Sequence, residues 1–259
     1  MLITKNEKEY IKPARIFGNL YFIGTRLVCT YLIDTGEGLI IIDPGASETL
    51  NMIIDNVRAL GFCTEDIKYI VISHAHYDHM DSVYELVKLC GAKTFIGGDD
   101  LPLLNGEIFH YPIKRFEPDI LLNDGDVIEL GNTRIECGAT PGHTDGTMSF
   151  FFEVSDGNNT YRAGMFGGTG TNTLTREFLE EHCLPFENRN KFIESVNKLK
   201  AEKVELFLGS HLENNRTEEK LSLLADSVEN PFITNSQSEW DAFLDARLDR
   251  IKQIIYNNE

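Results

Sequence analysis

The side chains that could do chemistry in this chain are concentrated in His74-Ala-His76-Tyr-Asp78-His79, three imidazoles and a carboxylate within six residues. Neutral imidazole and carboxylate are the donors that zinc prefers. A lone histidine is ordinarily a satisfied core or surface residue. Four such groups packed together would need many hydrogen-bond partners in one place, and on the surface they would have no reason to cluster. The density therefore predicts a metal-binding loop. Two more histidines have suggestive settings. His143 sits in the Gly/Pro turn Thr140-Pro-Gly-His-Thr-Asp-Gly146, and His211 follows Gly209-Ser210 at the end of an apolar run. His110 lies in a stretch of low periodicity and reads as a loop histidine without a ligand role, and His182 has no comparable setting.

The metal loop follows Tyr69-Ile-Val-Ile-Ser73, a β-branched run that reads as a buried strand. His211 repeats that arrangement after Val204-Glu-Leu-Phe-Leu208. Hairpins are expected at Gly18-Asn19, between Cys29–Asp34 and Leu39–Asp43 around Thr35–Gly38, and at Gly131-Asn132 between Val127–Leu130 and Thr133–Cys137. Further strands are expected at Ala92–Ile96, Phe150–Val154 and Tyr161–Ala163. Apolar spacing predicts a helix capped by Ser47 and closed by Gly61, another over Asp81–Cys90 stopped by Gly91, and others at 189–202, Glu218–Ser227 and Ser238–Tyr256. Residues 97–120 read as a long loop, a common place for function. Asp43 could hold the metal loop from behind or simply make a turn; the sequence leaves both open. The glycine-rich Gly164–Gly170 lacks the P-loop lysine and dinucleotide spacing, so it reads as backbone brought close to a site.

Alternating strands and helices argue for α/β layering. With no linker, repeat or low-complexity segment, residues 1–259 read as a single domain. The net charge of −17 disfavours nucleic acid and anionic membranes as partners, and no apolar run is long enough to span a bilayer. Five dispersed cysteines without a CxxC read as reduced thiols. Met1–Tyr10 has no apolar secretory core. The expected location is cytoplasmic, or periplasmic or secreted if a leader has been trimmed.

Together, His74-x-His76-x-Asp78-His79, Pro141-Gly-His143 and the strand-end His211 resemble the metallo-β-lactamase superfamily. Arg15-Ile-Phe-Gly-Asn-Leu-Tyr-Phe-Ile-Gly24, Asp43-Pro-Gly, Pro141-Gly-His-Thr with Ser149, and Asn230-Pro-Phe-Ile extend the likeness over nearly the whole chain, and are similar to the third subclass (B-three) of true metallo-β-lactamases. The resemblance implies an αββα sandwich, two mixed sheets with helices on both outer faces. It implies two Zn2+ ions, one held by His74, His76 and His143 and the other by Asp78, His79 and His211. It further implies a hydrolase that turns activated water on a small-molecule carbonyl, with Asp78 as the catalytic carboxylate and a β-lactam as substrate.

One position departs from many superfamily hydrolases. Met165 stands where they place a metal-bridging aspartate, which weakens the glyoxalase-II-like and lactonase-like readings. In the third subclass a serine stands there. The serines that hold a β-lactam carboxylate in that subclass would fall among Gly167, Gly168, Thr169 and Thr171, with Thr169 the candidate substitute. An ester, lactone or thioester hydrolase of the same fold is the alternative reading. A nuclease is disfavoured by charge, and a non-catalytic zinc protein by six intact ligand positions.

Overall fold

A computed structural model describes residues 8–108 and 112–258. The terminal residues 1–7 and His110 lie outside the described residues. The chain first builds a seven-stranded sheet in sequential order: β1 (Ala14–Phe17), β2 (Leu20–Phe22), β3 (Tyr31–Asp34), β4 (Leu39–Ile42), β5 (Ile67–Val71), β6 (Lys93–Gly97) and β7 (Ile120–Leu122). Strands β1 to β4 pair antiparallel, and β4 to β7 pair parallel. The second sheet contains β8 (Val127–Leu130), β9 (Thr133–Ala139), β10 (Met148–Ser155), β11 (Thr160–Met165) and β12 (Leu206–Leu208). Its order is β12-β11-β10-β9-β8, antiparallel except for the parallel β11–β12 pair.

Strand pleat sorts the apolar residues into three layers, because successive side chains point to opposite faces. Ile40, Ile42 and Val71 of the first sheet meet Phe150, Phe152 and Met165 of the second in the central core. Ile41 and Ile70 point outward, where they pack with Ile53 and Val57 of α1 (Leu50–Ala59) and Val83 and Leu86 of α3 (Val83–Cys90). Phe151 and Phe207 point outward from the second sheet. They pack with Phe192 and Val196 of α6 (Asn188–Leu199) and Trp240 and Leu244 of α8 (Ser236–Asn257). Two mixed sheets with helices on both outer faces make the expected αββα sandwich.

The three hairpins form where Gly18, Thr35–Gly38 and Gly131 suggest, and Gly91 ends α3 in a left-handed conformation at φ 66°. Some boundaries differ. Ser47 does not cap α1; it opens a 3-10 turn, Ser47–Thr49, and makes no side-chain cap bond. The helix expected from Asp81 begins at Val83, because the metal loop runs directly into its own short helix, α2 (Tyr77–Met80). The long loop 97–120 is partly ordered by α4 (Leu101–Leu104), and β7 starts at its last residue. The expected helix at 218–227 is α7 (Thr217–Leu223), and α5 (Arg176–Glu181) forms earlier in the chain, in a stretch too short to show helical periodicity. No described helix is long and apolar enough to cross a membrane.

Candidate metal centre

The six candidate ligands come together at one end of the sandwich, carried by loops of both sheets. His74 lies three residues beyond the end of β5 and His211 three beyond β12. His76 precedes α2, while Asp78 and His79 lie within it. His143 lies in the turn between β9 and β10. Gly142 has φ +134°, and a Cβ there would come within 2.6 Å of the Phe192 backbone. Glycine is therefore required for this turn to lie against α6.

Two groups form. His74, His76 and His143 offer three nitrogens, and Asp78, His79 and His211 offer two nitrogens and a carboxylate oxygen; within each group the donor atoms lie within 4.8 Å of one another. The rings of the first group form a near-equilateral triangle, with centroids 4.6–4.8 Å apart. In the second, His79 Nε2 lies 3.3 Å from His211 Nε2 and 3.5 Å from Asp78 Oδ2.

Hydrogen bonds at the far side of the rings fix which nitrogen is available. A carbonyl or carboxylate only accepts, so the partnered ring nitrogen must carry the proton. His143 Nδ1 donates to Gly170 O at 2.8 Å, His211 Nδ1 to Leu27 O at 3.2 Å, and His79 Nδ1 to Asp43 Oδ2 at 2.8 Å. Ser73 Oγ donates to Asp43 Oδ2 at 2.7 Å and so accepts from His74 Nδ1 at 3.0 Å. Each of these four imidazoles therefore presents Nε2 as a lone pair, the arrangement in which histidines bind metal.

The buried His74 Nε2 has no hydrogen-bond partner. An unsatisfied buried acceptor costs free energy, and a cation at the focus of the triangle would satisfy it. The donor set thus fits a metal: three imidazoles suit a tetrahedral zinc with one open position. Burial, with the neighbouring imidazoles, pushes the pKa of His74 and His76 well down, and burial brings His143 to about 4. All three are neutral at pH 7, the form that ligates. Burial also works against protonation of His79, but the Asp43 charge and hydrogen bond, with help from Asp78, outweigh it and raise its pKa.

Asp43 is fully buried at φ 51°, a conformation Asp tolerates better than most residues. Its Oδ1 accepts from Ser73 N at 2.7 Å. Of the two roles left open for Asp43, its bonds to Ser73 and His79 favour bracing the histidine loop from behind. Nothing in the sequence singles out Asp100. This buried carboxylate accepts from Ala75 N (2.7 Å), Gly146 N (2.7 Å) and Thr144 Oγ1 (3.0 Å), tying the first histidine loop to the His143 turn. Its neighbour Asp99 has the same type and context, so only tertiary packing distinguishes them.

The glycine-rich loop does approach closely. A Cβ on Gly167 would lie 2.0 Å from Met148 O, and one on Gly168 2.8 Å from His143 Cβ. Met165 is buried in the central core rather than at the site. Thr169 lines the cavity, with its hydroxyl 3.4 Å from Asn214 Oδ1 and 3.5 Å from Ser210 Oγ. The cavity is about 360 Å³, and all six candidate ligands line it. His182 instead packs on Phe178, with ring centroids 4.3 Å apart.

The chain is 32% identical over 127 residues to a Bacillus subtilis protein described as a probable polyketide biosynthesis zinc-dependent hydrolase, covering 48% of this chain and 51% of that one. It is 31% identical over 133 residues to a probable metallo-hydrolase of Methanocaldococcus jannaschii, covering 49% and 63%. The chain thus spans about half to two-thirds of the length of these curated relatives. Whole-chain likeness appears among solved structures. FEZ-1 metallo-β-lactamase from Legionella gormanii superposes with a TM-score of 0.89 at 27% identity, covering 97% of this chain and 98% of that one. BJP-1, a subclass B3 metallo-β-lactamase of Bradyrhizobium japonicum, gives 0.87 at 27% identity, covering 99% and 98%. A family model described as the metallo-β-lactamase superfamily matches residues 23–211, well over half of the sequence, and the chain belongs to that superfamily.

Proposed function

We propose that this protein is a di-zinc hydrolase that opens the cyclic amide of a β-lactam. In this reading residues 1–259 act as one domain, His74, His76 and His143 hold one ion, and Asp78, His79 and His211 hold the other. The observation that carries the proposal is the convergence of two three-donor groups on one open cavity, with a buried His74 nitrogen left unsatisfied. When bound, zinc supplies Lewis acidity, polarising a carbonyl oxygen and lowering the pKa of water to about 7.

The chain's own residues supply position. Asp43, through Ser73 and His79, holds the rings of both groups at fixed angles. Asp78 is only partly buried and lines the cavity. Its carboxylate accepts a hydrogen bond from the attacking water and orients it towards the substrate carbonyl. No serine or cysteine nucleophile takes part. Thr169, on the cavity wall, is the proposed polar contact for substrate.

The test is turnover of a chromogenic cephalosporin by zinc-loaded protein. The expected result is hydrolysis that disappears on chelation and in His76→Ala. Protein that holds two zinc ions by metal analysis yet turns over no β-lactam would overturn the β-lactam reading. A second reading, hydrolysis of a non-β-lactam ester, lactone or thioester, is favoured by the Bacillus relative, whose description ties it to polyketide biosynthesis. Lactone and thioester substrates assayed on the same preparation distinguish the two.

A further inference from the structure

Beside the main cavity lies a second, smaller one. It shares His76, His143 and Thr173 with the first, so it adjoins the first donor group. Its volume of about 20 Å³ leaves room for one group the size of a water molecule. Leu103, Ile108 and Leu184 make part of its wall apolar. Asn188, the first residue of α6, also lines it and is only 4% exposed. The Asn188 Oδ1 is buried with no hydrogen-bond partner among the described residues. The other polar neighbours are committed to one another. Asp100 accepts from Ala75 N, Gly146 N and Thr144 Oγ1, Asp145 accepts from Lys191 Nζ at 2.7 Å, and the Thr173 hydroxyl donates to His143 O at 3.0 Å. A water is held firmly by two to four polar partners, and one open acceptor falls short of that. An unsatisfied buried acceptor is costly, unless a ligand supplies the donor.

We propose that this side pocket is a specificity subsite in which Asn188 Oδ1 accepts a hydrogen bond from a small donor group of the substrate, an ammonium or a hydroxyl carried on the acyl half. The inference rests on the hydrolase reading and deepens it. The small volume excludes a carboxamide or a ring, and a methyl group would fill the space yet leave the acceptor unpaired. Asp100 and Asp145 border the space and no lysine or arginine lines it, so the local charge favours an ammonium over a hydroxyl. The acceptor is also held in place before a ligand arrives. The Phe192 backbone lies against Gly142 one helical turn beyond Asn188, Lys191 pairs with Asp145, and Ser195 Oγ donates to Pro141 O at 2.7 Å. These contacts fix the start of α6 on the His143 turn, and little ordering remains to be done on binding. A pocket built this way discriminates by leaving its acceptor unpaired when an analogue lacks the donor.

The test uses three cephalosporins that share a nucleus and differ in one side-chain substituent: phenylglycyl with an ammonium, mandelyl with a hydroxyl, and phenylacetyl with neither. Zinc-loaded wild type should favour phenylglycyl over phenylacetyl by roughly 10- to 100-fold in kcat/KM, mainly through KM, and mandelyl over phenylacetyl by about three- to tenfold. Both preferences should collapse in Asn188→Leu, which matches asparagine in shape but cannot accept a hydrogen bond. Asn188→Asp keeps an acceptor and should enlarge the preference for the ammonium, and it decides the matter if the leucine variant fails to fold. A second arm needs no turnover: phenylglycinamide, mandelamide and phenylacetamide binding to the same protein, followed by calorimetry, should give the same order and the same response to both variants. Equal values for the three side chains in wild type, preferences that survive in Asn188→Leu, or an ammonium preference unchanged in Asn188→Asp would overturn the proposal. If no β-lactam is hydrolysed at all, the β-lactam reading falls and the amide arm decides alone, so the two readings fail separately.

Discussion

Asp43 shows how much of the candidate metal centre is built behind the residues that could ligate. One buried carboxylate receives Ser73 N, Ser73 Oγ and His79 Nδ1, and through Ser73 it also governs His74. Asp43→Ala should lower zinc affinity by about 10- to 100-fold, as expected when a partner that orients ligands is removed. Competition against a chromogenic chelator would measure it, and unchanged affinity would mean that the rings hold their positions unaided. At this scale the sequence was informative where candidate ligands are close together along the chain. His74, His76, Asp78 and His79 announce themselves by density, and His143 and His211 by their turns. Asp100 could not be read in the same way. It is one charged residue among many, and its hydrogen bonds form only when the His143 turn packs against it.

The loops that carry the ligands are fitted tightly enough to be broken by one methyl group. Gly167→Ala places a Cβ against Met148 O, and the loop from β11 must move away from β10. Overpacking of this kind costs about 1–3 kcal/mol, measurable as a lower denaturation midpoint. Asp100 adds a pH dependence. Burial raises its pKa to about 6, although the Ala75, Gly146 and Thr144 donors pull the other way. An unfolded aspartate titrates near 3.9, so between these values the folded chain holds a proton that the unfolded chain releases. The associated stability is present at low pH and is lost as pH rises through about 6. Asp100→Asn, which does not titrate and points an N–H at a donor, should be less stable than wild type at pH 5. That gap should narrow by about 1–2 kcal/mol at pH 7.5, as read by urea denaturation of metal-free protein. A constant gap would show that the carboxyl does not titrate in this window. Hairpins were readable because Gly-Asn and Gly-containing turns demand particular backbone angles. The four-residue α4 was not, because one turn of helix carries no periodicity to detect.

Across the whole molecule, both outer faces of the double sheet are covered, and this hides as much as it stabilises. Leu39-Ile-Ile-Ile42 is buried throughout, so it shows no alternation to say which isoleucines face the central core. The edge hairpin β8–β9 does alternate, since Arg134 and Glu136 face solvent. Metal should stabilise the assembled fold. Zinc at a thousandfold excess over its dissociation constant contributes about 4 kcal/mol per site, so chelation should lower Tm by roughly 10 °C or more. Among the described residues, the strands pass from one sheet to the other only once, between Leu122 and Val127. That single crossing lends itself to complementation. A break there would give one piece carrying His74, His76, Asp78 and His79 and another carrying His143 and His211, each with a bare apolar sheet face. Neither piece holds a full ligand set, so tight zinc uptake by the mixture would act as a reporter of two halves finding each other.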